Sequence, residues 1–344
     1  MALVDTLESA WYGNARPPWW SWPLAALYGS LVRLRRWLYR IGARRSVRLP
    51  VPVVVVGNLT VGGTGKTPLT IALAEALRSR GFKPGVVSRG YGGRRREPML
   101  LDDTPDPAEV GDEPCLIRAS GVAVAIGRER PAAAQLLLDA GCDVLIADDG
   151  LQHYALARDV EICVIDGMRR FGNRHVLPVG PLREPMSRLQ RVDLRVCNGG
   201  VAGNGEYPMQ LQGGALIALV DDRHEALADW RGRRVHAVAA IGNPGRFFDS
   251  LRQAGLELIE HAFPDHHAFA PGELDFGDGL PVLMTDKDAV KCRRFAQPHW
   301  WRVPVRAQLP EAFHQAVADR LAALRRDAGS PPTSIRRARL PPVQ

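Results

Sequence analysis

An α/β chain, with a mostly parallel sheet covered by helices on both faces, is what this sequence predicts, and three observations predict it. Short apolar runs recur at 53–56, 85–88, 122–126, 144–147 and 161–166, and such runs suit strands buried on both faces. Between them lie segments with one apolar stripe at helical spacing, such as Leu69, Leu73 and Leu77. The two kinds of segment alternate, which favours parallel neighbours in one sheet. A second, smaller α/β unit and an N-terminal amphipathic helix complete the expected architecture. The expected divisions are an amphipathic segment at 1–48, a first domain at 49–204 and a smaller domain with hinge strands at 205–330. A proline-containing tail at 331–344 is read as disordered.

The chain has 344 residues, 46% of them hydrophobic and 24% charged, a composition typical of globular proteins and long enough for two modest domains. Its five cysteines, Cys115, Cys142, Cys163, Cys197 and Cys292, form no C-x-x-C pair. They predict buried thiols in a reducing compartment, not a disulfide frame or zinc site. The net charge of +8 is concentrated at the start, where residues 1–48 hold eight arginines against Asp5 and Glu8. The remainder is near neutral, which argues against a nucleic-acid-binding body. No internal repeat at a solenoid period is visible.

In the first segment, Trp11, Tyr12, Trp19, Trp20 and Trp22 precede a helical stripe of Leu24, Leu27, Leu31, Leu34, Leu38 and Ile41. Arg33, Arg36, Arg40 and Arg44 repeat on another face. The longest uncharged stretch, Pro17 to Val32, is too short and too rich in proline and serine for a transmembrane helix. A secretory signal would carry its positive charge before the apolar run, whereas here it follows. The pattern predicts a helix lying on an anionic membrane surface through residues 11–48, against the plainer alternative of a helix packed on the protein's own body.

The most informative stretch runs from Pro50 to Thr70, PVPVVVVGNLTVGGTGKTPLT. A buried strand leads through a glycine-rich turn into Gly65-Lys66-Thr67 and a helix with Pro68 in its first turn, where a missing N–H costs little. This is the layout of a phosphate-binding loop. Gly62, Gly63, Thr64 and Gly65 would turn backbone N–H groups toward a polyphosphate at a helix N-terminus. Lys66 would reach the β- and γ-phosphates of a nucleotide, and Thr67 would place its hydroxyl on Mg²⁺. Thr60 stands where the usual pattern has its first glycine. A solvated surface turn is the alternative, and the flanking strand and helix disfavour it.

Further on, Ser88-Arg89-Gly90-Tyr91-Gly92-Gly93 and three arginines form a basic loop at the carboxyl end of a strand, where α/β sheets bind ligands. Two readings are open, a substrate-phosphate site or a solvated loop. Gly111-Asp112-Glu113-Pro114 opens a helix, with Asp112 in the place of an N-cap. Val144 to Ala147 run into Asp148 and Asp149, the strand end that organises Mg²⁺ beside a phosphate loop. His153, alone, reads as an ordinary hydrogen-bonded residue. Arg183-Glu184-Pro185 lies in a proline-flanked loop, and 193–197 closes the first sheet.

In the second unit, strands are expected at 207–219, 235–241, 256–262, 282–284 and 301–305, with helices after Asn243 and over 312–324. Asp265-His266-His267 follows one strand. Adjacent histidines seldom point the same way, so an acid–base or orienting role in a cleft is preferred to a metal site. Thr285 to Lys291, including Lys287 and Asp288, would either contact a nucleotide base or begin a helix with Thr285 as its cap.

Taken together, VGNLTVGGTGKTP, SRGYGG, GDEP, DDGLQH, LREP, FPDHHAF and TDKDAVK resemble the tetraacyldisaccharide 4'-kinase family, in the family's order across residues 53 to 291. The resemblance implies an ATP-dependent kinase of P-loop NTPase-like fold with Mg²⁺. Its acceptor would be the 4'-hydroxyl of a tetraacyldisaccharide 1-phosphate, a lipid A precursor. It would act at the cytoplasmic face of the bacterial inner membrane, with no obligate protein partner. Two α/β domains would be joined by a two-stranded link able to close. By the same resemblance, Asp112 is the general base and His266 its partner. Asp149, with Asp148 and Glu184, would surround the metal, and Arg183, Arg89 and Tyr91 would face the acceptor. Val61 stands where partitioning-type ATPases carry a signature lysine. A membrane-associated ATPase switch is the rival function, and a nucleotide-binding scaffold without catalysis a third.

Overall fold

The apolar runs become the strands of two sheets. The computed structural model describes residues 2–328, so the tail expected at 331–344 lies outside the described residues. In chain order the helices and strands are α1 (Ala2–Tyr12), α2 (Ser21–Arg40), β1 (Val53–Gly57), α3 (Lys66–Ser79), β2 (Pro84–Ser88), β3 (Met99–Leu100), α4 (Pro107–Val110) and α5 (Asp112–Ala119). Next come β4 (Ala123–Ile126), α6 (Arg130–Asp139), β5 (Val144–Ala147), β6 (Val160–Asp166), β7 (Leu194–Asn198), β8 (Glu206–Gly213), β9 (Ala215–Ala218) and β10 (His224–Ala226). The chain continues through β11 (Arg234–Ala239), α7 (Pro244–Gln253), β12 (Glu257–Ala262), β13 (Val282–Thr285), α8 (Asp286–Cys292), β14 (Trp300–Val303), β15 (Val305–Gln308) and α9 (Glu311–Ala328).

The larger sheet has nine strands in the order β15-β8-β7-β6-β1-β5-β2-β4-β3, parallel except at its two edge strands. Its centre is β1, which is why the glycine loop emerges at the middle of the sheet's carboxyl edge. Successive valines of β1 point to opposite faces. Val54 and Val56 meet Leu69, Leu73 and Leu77 of α3, while Val53 and Val55 meet Ala133, Ala134 and Leu137 of α6. Burying each of those leucines contributes roughly 1.5–3 kcal/mol, so packing rather than helix propensity holds α3 in place. The five cysteines are free and buried, as expected.

The smaller sheet has six strands in the order β10-β9-β14-β13-β11-β12. The chain leaves the larger sheet at Gly214 and returns at Pro304. The strand expected at 207–219 is therefore two strands, β8 in one sheet and β9 in the other. The strand expected at 301–305 is likewise split by Pro304, which has no N–H for a ladder. β8 and β15 pair antiparallel and form the link between the sheets. Residues 305–328, grouped with the smaller unit on sequence, pack on the larger one, because Phe313, Val317 and Leu321 of α9 complete the apolar cluster around α3.

At the N-terminus, α2 rests on the body through small side chains, Ser21, Ala25 and Gly29. Its apolar stripe faces outward: Leu27 is 59% exposed, Leu31 55%, and Trp19, in the turn before the helix, 83%. Among the described residues no helix is long and apolar enough to cross a membrane.

Candidate active site

The loop after β1 is shaped by its glycines. Gly62 and Gly65 have φ of 97° and 90°, a region that L side chains adopt only at a cost. Helix α3 starts at Lys66, directly after Gly65, so Lys66 and Thr67 stand in its first turn among N–H groups without helical partners. Lys66 Nζ lies 3.4 Å from Asn58 Oδ1 and 3.8 Å from Asp149 Oδ1. Thr64 is buried, and its carbonyl accepts a hydrogen bond from Asn198 Nδ2 at 2.9 Å.

Asp148 and Asp149 follow β5 and have opposite environments. Asp148 is 1% exposed; one carboxyl oxygen accepts from the Thr70 hydroxyl at 3.0 Å and the other has no partner. Burial, with Glu113 and Asp149 nearby, pushes its carboxyl up to about 7. Asp149 is part-buried, its side chain 35% exposed; crowding by the protein alone would raise it, but Lys66 and Arg183 outweigh that and hold it well below the usual carboxylate range. Arg183 grips it with both guanidinium nitrogens, Nη1 at 2.9 Å and Nη2 at 2.8 Å. Arg130, its own pKa lowered to about 10 by burial, donates to the Asp149 carbonyl at 3.1 Å.

Glu184, which the resemblance sets around the metal, is tied into a hydrogen-bonded network. It is 1% exposed, and its two oxygens accept from Gln152 Nε2 at 3.1 Å and from the Tyr154 hydroxyl, with Arg188 Nε at 3.7 Å. Through Gln152 and Tyr154 it fixes the turn that follows Asp149. His153 within that turn is kept neutral, because burial, with Arg130 and Arg158, pushes it down to about 3.

The second corner brings together residues from both units. Gly111 (φ 93°), not Asp112, is the N-cap of α5; a Cβ there would strike the Tyr91 carbonyl oxygen at 2.3 Å. Asp112 is the first helical residue and makes no cap bond. Its Oδ2 lies 3.3 Å from His266 Nδ1. The other ring nitrogen, Nε2, lies 3.3 Å from Lys287 Nζ. An ammonium has only hydrogens to offer, so Nε2 accepts, and Nδ1 carries the hydrogen that it donates to Asp112. Lys287 also donates to Asp265 Oδ1 at 3.1 Å and lies 3.6 Å from Glu113. Tyr91, 63% exposed, sets its ring edge-to-face on His266 at 5.1 Å. Arg89 is exposed in the same loop. His267 turns elsewhere, to Glu273 at 2.9 Å.

The TDKD stretch divides by role. Asp288 is fully buried, accepting from the Ala240 N–H at 3.0 Å and from the Thr285 hydroxyl at 2.7 Å, while Thr285 caps α8. Thr285 and Asp288, expected at the nucleotide, are engaged with each other at the start of α8, the Asp288 N–H donating to the Thr285 hydroxyl at 3.2 Å. Only Lys287 faces the cleft. The two corners adjoin: a Cβ on Gly242, in the loop after β11, would lie 2.8 Å from Gly63 N and 3.5 Å from Asp265 Oδ2. Sequence reasoning missed Asn58, Glu113, Arg130, Asn198 and Arg246. Of these, Asn58 in VGNLTVGGTGKTP and Glu113 beside Asp112 in GDEP carried a local signal.

The family Tetraacyldisaccharide-1-P 4'-kinase matches residues 18–322. A tetraacyldisaccharide 4'-kinase of Stenotrophomonas maltophilia is 52% identical, covering 92% of this chain and 96% of its own length. That of Xanthomonas euvesicatoria is 50% identical over 90% of this chain and 94% of its own. A crystal structure of the "apo" form of LpxK from Aquifex aeolicus in complex with ATP matches with a TM-score of 0.74 and 27% identity, over 87% of this chain and 98% of that one. The chain thus belongs to the tetraacyldisaccharide 4'-kinase family, phosphotransferases that use ATP to phosphorylate an alcohol group of a lipid A precursor.

Proposed function

We propose that the cleft between the two units transfers the terminal phosphoryl group of ATP to the 4'-hydroxyl of a tetraacyldisaccharide 1-phosphate lying at a membrane surface. The observation that carries this reading is the Asp112–His266 contact, formed across the cleft beside the glycine loop. A sugar hydroxyl is a weak nucleophile and phosphoryl transfer has a loose transition state, so positioning and charge neutralisation outweigh proton removal. Lys66 and the N–H groups of Gly62 to Thr67 supply donors to the phosphate oxygens. Asp112 accepts the hydroxyl proton as the new O–P bond forms and the bond from the γ-phosphorus to the bridging oxygen breaks, that oxygen leaving with ADP. His266, held by Lys287 as an Nδ1–H donor, keeps the Asp112 carboxylate oriented for that transfer. Arg183 keeps Asp149 ionised beside Lys66, and Arg89 and Tyr91 line the acceptor side.

The residues fit Mg²⁺. Asp148 has a buried oxygen without a partner, beside Asp149 and the first turn of α3. Among the described residues no three acidic or imidazole groups converge as a cage, and Mg²⁺ needs none, since one or two carboxylates, a threonine hydroxyl and phosphate oxygens suffice. Thr67 and Asp148, with Asp149 behind them, would hold it. When bound, it would neutralise charge across the phosphates.

The outward stripe of α2, flanked by exposed Arg33, Arg40 and Arg44, supports binding to anionic lipid at the cytoplasmic face of the inner membrane. The deciding experiment follows γ-labelled phosphate from ATP onto a tetraacyldisaccharide 1-phosphate in mixed micelles. Transfer that disappears in Lys66→Ala is the expected result. Steady ATP hydrolysis with no labelled lipid would favour a switch ATPase instead.

A further inference from the structure

Asn198 and Arg246 lie outside every motif that pointed to the site, yet they join the glycine loop to the smaller unit. Asn198, at the end of β7, is 0% exposed. Its Nδ2 donates to the Thr64 carbonyl at 2.9 Å, and its Oδ1 accepts from Arg246 Nη2, on α7, at 2.8 Å. The fit is tight, for a Cβ on Gly65 would lie 2.2 Å from Asn198 Nδ2. We propose that Asn198 and Arg246 are positioning residues that set the direction of the Gly65 N–H, so that the smaller unit orders the phosphate-binding loop. A trans peptide is planar, and its C=O and N–H point in opposite directions. Pinning the Thr64 carbonyl to Asn198 therefore turns the Gly65 N–H away from Asn198. Arg246, which can only donate, fixes which end of the carboxamide faces Thr64; flipped, the amide would set oxygen against oxygen. Arg246 rides on the same element whose leading loop brings Gly242 against Gly63, and Arg169 Nη1 ties that loop down by donating to the Gly242 carbonyl at 3.2 Å. Approach of α7 and order in the loop are thus one event.

This inference rests on the reading that the loop binds the phosphates of ATP, so Lys66→Ala serves as the control. The test is full-length protein carrying Asn198→Asp, Arg246→Met, or both, assayed for ADP affinity by calorimetry and for KM and kcat with ATP and the lipid acceptor. Asn198→Asp keeps the shape and the acceptor for Arg246 but cannot donate to Thr64. Its ADP dissociation constant and ATP KM should rise about 10- to 100-fold, the scale of one buried polar group left unpaired, with the acceptor KM unchanged. Arg246→Met should give a smaller rise of the same kind. The double variant should be no worse than Asn198→Asp, because both act through one amide. Additive losses, or unchanged ADP affinity in both single variants, would overturn the proposal. Should Asn198→Asp melt early, the half-buried Arg246→Met decides by the same split between ATP and acceptor KM. If Lys66→Ala itself leaves ADP affinity intact, it is the reading of the loop that fails.

Discussion

At the scale of single residues, chemistry and structure separate most clearly in Asp112 and Glu206. Asp112 makes no cap bond and spends its carboxylate on His266. Asp112→Asn should lower kcat by about 10²–10⁴-fold, the usual share of general-base help, with the KM for ATP nearly unchanged. A variant with normal kcat and weakened ATP binding would place Asp112 in the holding of metal or nucleotide instead. Glu206 is paired with Arg170 through both guanidinium nitrogens. The Arg170 hydrogen bond, against a smaller opposing effect of burial, holds its carboxyl below the usual range. A depressed carboxyl stabilises the fold above its unfolded pKa of about 4.3, and that contribution is lost as pH falls through the folded value. Glu206→Gln should therefore melt earlier than the parent at pH 7, with the gap closing below about pH 4. A gap that stays constant in acid would assign the loss to packing. Legibility at this scale followed sequence distance. Lys66, Thr67, Asp148 and Asp149 were visible because strand, turn and helix place them locally. Asn198 and Arg246 were not, because what defines them is a contact reaching 134 residues back to Thr64 and one 48 residues forward from β7.

At the scale of elements, periodicity told which residues shared a face but not what that face met. The leucine stripe of α2 was legible, and so was the choice between membrane and body. The structure shows why the choice was not forced: the helix uses both faces, its small residues Ala25 and Gly29 inward and its leucines outward. Spacing cannot announce a packing face made of serine, alanine and glycine. The split of 207–219 at Gly214 was hidden because the half-exposed β8 runs within one residue of the apolar β9. TDKD was ambiguous because a threonine cap and a base-reading loop use the same residues; in the structure Thr285 caps α8 and Asp288 is buried. For α2 the outward face makes a separable prediction. Leu27→Glu with Leu31→Glu should change stability by no more than about 0.5 kcal/mol per site, as expected of exposed positions. The same change should sharply reduce co-sedimentation with vesicles containing anionic lipid. Equal sedimentation of variant and parent would mean that this stripe is not the membrane contact.

For the whole molecule, the chain passes between the two sheets at Gly214 and Pro304, beside one antiparallel strand pair, β8 with β15. On the proposed mechanism, catalysis depends on how closely the smaller unit can approach the glycine loop. The contact that sets this limit is backbone on backbone at Gly242 and Gly63. A side chain at 242 would meet Gly63 N at 2.8 Å, and a main-chain nitrogen cannot rotate aside as a side chain can. By contrast, a Cβ at Gly214 would meet nothing within 4 Å. Gly242→Val should hold the units apart by a fraction of a bond length or more, carrying Asp265 and His266 away from the loop with α7. Displacement of about 1 Å at a reacting centre can cost 10²-fold in rate, so kcat should fall on that order while the melting temperature stays near the parent's. Gly214→Ala, at the link itself but in open space, should leave kcat within a few-fold. The two variants measured side by side separate closure from stability: were Gly242→Val to turn over normally, chemistry would not require the approach seen here, and Asp112 and His266 would have to meet the phosphates by another route.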